Sequence, residues 1–163
     1  MAPGRFSHLV TAAVPHLRVA GPRFAQPAQA RRSWYMALFQ LPFIAERKLR
    51  AGDMALVDRL WRDWSPGYRC PDNELRCIKR AIDPDLGAVL GYYRALKSPE
   101  ALLGDARRWV MKRTQIPAMY LHGVDDGCVG VELCRGVEAA YEAGVETIIA
   151  ITEGVPPGLR SPL

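Results

Sequence analysis

The stretch IPAMYLHGVDDGC, from Ile116 to Cys128, sets the architecture. Its first seven residues are almost continuously apolar and give way to Gly123, the pattern of a parallel strand buried on both faces. Asp125 and Asp126 follow shortly after that glycine. In open parallel sheets, the loops at the carboxyl ends of the strands carry ligands and reacting groups. A carboxylate just past such a turn can orient a catalytic histidine through its Nδ1–H. The same two acids could instead cap the next helix or solvate the loop, and spacing alone leaves both roles open.

Working outward, Glu132 to Ala143 reads as a helix stopped by Gly144, and VETIIAI, Val145 to Ile151, reads as a second buried strand. Towards the amino terminus, HLVTAAV, His8 to Val14, is a short β-branched and apolar run closed by Pro15, again a strand. Gly21, Pro22 and Pro27 mark a connecting segment.

The intervening residues have helical periodicity. Trp34, Tyr35, Leu38, Phe39 and Leu41 recur at three-to-four spacing, which predicts a helix over Gln29 to Leu41 ended near Pro42. Further helices are predicted over Phe43 to Arg50, over Asp53 to Trp64 with Asp53 as N-cap, and over Asn73 to Ile82. Ser65-Pro66-Gly67 is a turn, and Asp83-Pro84-Asp85 opens one more helix through Leu96. The order strand, helical block, strand, helix, strand predicts an α/β fold with a helical insertion. The predicted division is a core strand in residues 1–20, a helical cap in 21–113, core strands and a helix in 114–152, and an irregular tail in 153–163.

Composition narrows the function. The 163 residues are 49% hydrophobic and 24% charged, which excludes global disorder. The net charge of +5 is spread over scattered arginines without a basic block, so no nucleic-acid partner is expected. Cys70, Cys77, Cys128 and Cys134 show no C-x-x-C spacing and only three histidines accompany them, so free thiols are expected and neither a metal nor another cofactor is. Met1 to Arg5 lacks a secretory pattern and no apolar run approaches the roughly 18 residues that span a bilayer. A cytoplasmic protein without membrane partners is expected.

Three segments carry a family resemblance. MYLHGVDDGCVG, Met119 to Gly130, resembles the acid-bearing loop of α/β-hydrolases, in which the acid stands three residues after the glycine; that implies Asp126 rather than Asp125. SWYMALFQLPFIAER, Ser33 to Arg47, is similar to the first cap helices of epoxide hydrolases, and GYYRAL, Gly91 to Leu96, to a later cap helix. The resemblance covers about Arg5 to Tyr141 and implies a partial α/β-hydrolase sheet of about three parallel strands with a helical cap insertion. It further implies that Tyr35, a helical turn before Phe39-Gln40, and Tyr93, before Arg94, hydrogen-bond an epoxide oxygen. A phenol suits that task because it can act as donor and as general acid. Either tyrosine could also be a core-packing aromatic. His16 and His122 match no role in the family.

The family also needs an Asp-bearing nucleophile elbow and a base histidine after the last strand. No such elbow, no G-x-S-x-G and no histidine after His122 occurs among the 163 residues. The chain is therefore expected to be inactive alone, as a truncated or frameshifted product or one piece of a longer protein. EAGVETIIAITEGVP, Glu142 to Pro156, separately resembles a short part of the succinyl-CoA synthetase α-subunit, without that enzyme's histidine or CoA loop.

The small hydrophobic substrate expected of the parent enzyme is an epoxide. A haloalkane dehalogenase or an esterase is the alternative, with Trp34 as a candidate halide donor. A non-catalytic interaction module that self-associates through an exposed sheet is the third reading.

Overall fold

The computed structural model describes residues 5–142 and 145–150. Three strands, β1 (Leu9–Ala12), β2 (Ala118–Gly123) and β3 (Val145–Ala150), form one parallel sheet in the order β1-β2-β3. Leu9 stands beside Ala118 in register, and Ala118 beside Val145. Ala13 ends β1 by taking a positive φ of 58°, a region that residues with a Cβ enter only at a cost. All three predicted strands are present. Ile151 and the tail lie outside the described residues.

The block between β1 and β2 is helical: α1 (Leu17–Ala20), α2 (Pro27–Arg32), α3 (Trp34–Phe39), α4 (Ile44–Trp64), α5 (Asp72–Ile82), α6 (Leu86–Ala95), α7 (Pro99–Leu103) and α8 (Asp105–Val110). Several boundaries differ from expectation. The segment marked by Gly21, Pro22 and Pro27 is not irregular: Gly21–Ala25 is a 3₁₀ turn and Pro27 occupies the first turn of α2. Proline opens helices because the amide it lacks would have no intrahelical partner there. The helix expected over Gln29 to Leu41 is broken at Ser33 into α2 and α3.

Two predicted helices run together as α4, with non-helical dihedrals at Ala51, Gly52, Asp53 and Met54 between them. Asp53 is no N-cap. It sits at φ 53°, and its carboxylate lies 3.7 Å from Lys79 Nζ. Asp85 does cap, accepting from the Ala88 amide at 3.0 Å to start α6.

The largest correction concerns Glu132 to Ala143. That segment is two 3₁₀ turns, Val131–Cys134 and Val137–Ala140, separated by Gly136 at φ 73°. The left-handed glycine reverses the chain, so Leu133, Cys134, Val137 and Ala140 all become buried without a continuous helix. Tyr141 then bridges to Thr114 in parallel. Gly144 lies outside the described residues.

Two buried clusters result. The helical cluster includes Tyr35, Phe39, Leu49, Val57, Leu60, Leu86 and Leu90. The sheet cluster is Tyr120, Cys134, Val137, Ala140 and Tyr141. Cys128, from the loop after β2, packs on the helical cluster. Among the described residues no helix is long and apolar enough to cross a membrane.

Candidate active site

The loop from Val124 to Gly130 leaves the end of β2 and is held from two sides. From within, Asp126 Oδ1 accepts the amides of Cys128 at 2.7 Å and Val129 at 2.8 Å. From the helical block, Gln29 is fully buried on α2 and uses both ends of its amide: Nε2 donates to the Cys128 carbonyl at 2.8 Å, and Oε1 accepts from the Gly130 amide at 3.0 Å. The same Nε2 donates to Ser33 Oγ at 2.8 Å. Arg32 on α2 pairs with Glu132 just beyond the loop.

Asp126 therefore organises its own loop. Among the described residues its Oδ2 has no hydrogen-bond partner, and none of the three histidines bonds to it.

His122 is committed elsewhere. Its ring, 3% exposed, has Nε2 at 2.9 Å from the Val129 carbonyl and Nδ1 at 2.7 Å from the Tyr120 hydroxyl. A carbonyl only accepts, so Nε2 donates to Val129, while Nδ1 shares its hydrogen bond with the Tyr120 hydroxyl. The Tyr120 oxygen in turn lies 3.1 Å from Cys134 Sγ. Burial raises the pKa of the Tyr120 phenol and of the Cys134 thiol, which keeps both protonated. This chain supports the loop from below. His16 caps α1 through Nδ1, at 3.2 Å from the Arg18 amide.

Tyr35 and Tyr93 come together within the helical block. Tyr35, on α3 and 4% exposed, meets the half-buried Tyr93 of α6 edge to face, with ring centroids 5.9 Å apart. Phe39 and Trp64 complete the enclosure, at 5.4 and 4.9 Å from the Tyr35 ring. The Tyr35 hydroxyl reaches the acid-bearing loop, 3.2 Å from Cys128 Sγ. The Tyr93 hydroxyl has no hydrogen bond among the described residues. Burial raises both phenol pKa values, followed for Tyr35 by its bond to Cys128 and for Tyr93 by the nearby Cys128 thiol. Both remain donors at neutral pH.

The residues beside the tyrosines explain the local pattern. Gln40 Nε2 donates to the Tyr93 carbonyl at 3.0 Å, while Arg94 Nε donates to the Phe39 carbonyl at 3.1 Å. These reciprocal bonds clamp α3 to α6, and Arg94 is itself held by Glu46 at 2.8 Å. Trp34 also meets the Tyr35 ring edge to face, with centroids 6.5 Å apart, and the Arg59 guanidinium stands 4.8 Å from the Trp34 ring.

A cleft of about 520 Å³ opens beside the loop, lined by Arg32, Pro66, Gly67, Val124, Asp125, Asp126 and Gly127. It reaches Asp126, but neither tyrosine lines it. Cys128, Gln29 and Trp64 are the residues of this site that the sequence did not single out. Among the described residues, no group of His, Cys, Asp and Glu is arranged to hold a metal.

No family model matches the chain, and no curated protein does. Solved structures do match. A candidate epoxide hydrolase from Klebsiella pneumoniae subsp. pneumoniae MGH 78578 superposes with a TM-score of 0.69 at 19% identity, over 89% of this chain and 50% of that one. A mutant epoxide hydrolase from Bacillus megaterium gives 0.67 at 15% identity, over 93% and 55%. A candidate epoxide hydrolase from Pseudomonas aeruginosa gives 0.64 at 19% identity, over 89% and 50%.

The chain has, in part, the fold of an epoxide hydrolase-like α/β-hydrolase. It spans about half the length of these structures. In this partial hydrolase fold the helical block and the loop after β2 are joined by the bonds described above. The resemblance of Glu142 to Pro156 to a succinyl-CoA synthetase gains no support from these matches, and most of that segment lies outside the described residues.

Proposed function

We propose that the chain carries the lid and the acid-bearing loop of an epoxide hydrolase, acting on a small hydrophobic epoxide. Tyr35 and Tyr93 donate to the epoxide oxygen, and Asp126 orients a base histidine through its free Oδ2. In that reaction an Asp carboxylate attacks an epoxide carbon, the C–O bond breaks, and the released oxygen takes a proton from the phenols. Water activated by the histidine then hydrolyses the ester to a diol. The reading places the nucleophilic Asp and the base outside these 163 residues. The division into core strand (1–20), cap (21–113) and core strands (114–152) belongs to it and is supported by the two separate buried clusters.

One observation carries this reading. Two phenols from separate helices meet edge to face, and one of them touches the loop built around Asp126. The test is a calorimetric titration of the chain with a small aryl amide, whose carbonyl oxygen stands in for the epoxide oxygen. Saturable binding is expected, weakened about tenfold by Tyr35→Phe or Tyr93→Phe, the loss of a hydrogen bond to a buried acceptor. Binding unaffected by either substitution counts against it. With styrene oxide the chain alone should form no diol; clear turnover contradicts the placement of the nucleophile and base.

A second reading, a module that self-associates, is favoured by the exposure of Phe6, Val10 and Val14 along β1 and its flanks, at 65, 63 and 66%. Apolar side chains beside an unpaired strand edge invite pairing between copies. Sedimentation of a concentration-independent monomer would remove it.

A further inference from the structure

Cys128 is the one loop side chain within hydrogen-bond distance of the Tyr35 hydroxyl among the described residues. Its main chain is pinned on both sides, by Asp126 Oδ1 on the amide and by Gln29 Nε2 on the carbonyl. Three aromatic neighbours, Phe39, Trp64 and Tyr93, restrict the Tyr35 ring. The freedom left to this phenol is the direction of its O–H, and Cys128 faces that bond.

We propose that Cys128 is a positioning residue for Tyr35: its S–H donates to the phenol oxygen, which leaves the phenolic O–H to point at a ligand oxygen under the lid. This rests on the reading of Tyr35 as a ligand donor. Without a ligand either atom of the pair can donate. A thiol sulfur is a weak acceptor, so a ligand oxygen outcompetes it for the phenolic proton. The pair then reverses polarity without any heavy atom moving. An S–H donated to the phenol oxygen also polarises the O–H, since chained hydrogen bonds reinforce one another. Burial raises the pKa of the Cys128 thiol; the bond to Tyr35 lowers it and the Asp126 carboxylate raises it, and the net rise leaves on the sulfur the proton that this arrangement needs.

The test compares amide affinity in the wild-type chain, Cys128→Ala, Cys128→Ser, Tyr35→Phe and the Tyr35→Phe/Cys128→Ala double variant, with the S–H stretching band recorded in parallel. Circular dichroism of each variant confirms folding. Cys128→Ala should weaken binding about fivefold, as expected for one hydrogen bond, while Cys128→Ser, which retains a donor, should restore it. In the Tyr35→Phe background Cys128→Ala should cost nothing further, and the S–H band should shift when the amide binds to wild type. Full affinity in Cys128→Ala alongside weakened Tyr35→Phe overturns the proposal, as does an undiminished Cys128→Ala effect in the Phe background. If the wild-type chain binds no amide, the ligand-donor reading itself fails and takes this one with it.

Discussion

The amide of Gly127 donates to the carbonyl of Trp64 at 3.1 Å, joining the acid-bearing loop to the last residue of α4. The approach is so close that a Cβ built on Gly127 would stand 1.8 Å from the Asp63 carbonyl oxygen, a backbone atom with little room to yield. Gly127→Ala must therefore push the loop off the lid. It should destabilise the chain by about 2–4 kcal/mol, the range for overpacking together with a lost backbone bond. Urea denaturation checks this; a change below about 0.5 kcal/mol would show that loop and lid are not in contact.

Gln29 offers a second test of the same junction. Replacing it with leucine keeps the volume but leaves the buried Gly130 amide without its partner and removes the donor to Cys128. A stranded buried donor costs about 1–3 kcal/mol. Gln29→Leu should fall in or above that range by chemical denaturation, and Gln29→Glu should do no better, because its second oxygen sets an acceptor against the Cys128 carbonyl and buries a charge.

Two of the buried tyrosines, Tyr35 and Tyr120, should behave differently. Tyr120→Phe strands His122 Nδ1 and removes the partner of the Cys134 thiol, so a loss of about 1–3 kcal/mol is expected. Tyr35→Phe removes a single contact with a thiol and should cost less than about 1 kcal/mol. Thermal unfolding of the two variants should rank them in that order.

His16 makes stability depend on pH. Burial is the main cause that holds its pKa below 6.5, with the Arg18 charge adding to it and a bond to the Lys112 backbone opposing. Between its unfolded and folded pKa the unfolded state binds more protons, so stability should fall as pH drops below about 6.5 and level off below the folded value. Above that window His16 contributes no slope. His16→Asn, which still caps α1, should flatten the profile there. A slope unchanged in the variant would assign the effect to another group.

The parallel strands and several helices of the block between β1 and β2 were legible because their apolar patterns are local. Glu132 to Ala143 misled because Leu133, Cys134, Val137 and Ala140 have helical spacing, yet a left-handed Gly136 lets two tight turns bury all four, the last three in the cluster around Tyr120. Prolines at 22 and 27 read as breakers although each sits in a first helical turn, where proline is at home. In the candidate site, Tyr35, Tyr93 and Asp126 were marked by local motifs. Cys128 and Gln29 were not, because their roles come from contacts across 93 to 101 residues of sequence, which no local pattern encodes.

The most direct measurement is a crystal structure of the chain with a small aryl amide bound. The account predicts the amide oxygen within hydrogen-bond reach of both the Tyr35 and Tyr93 hydroxyls, with Cys128 still against Tyr35 and the Asp126 loop below. An amide bound elsewhere, or phenols turned to the outer face of the lid and away from Asp126, would contradict it.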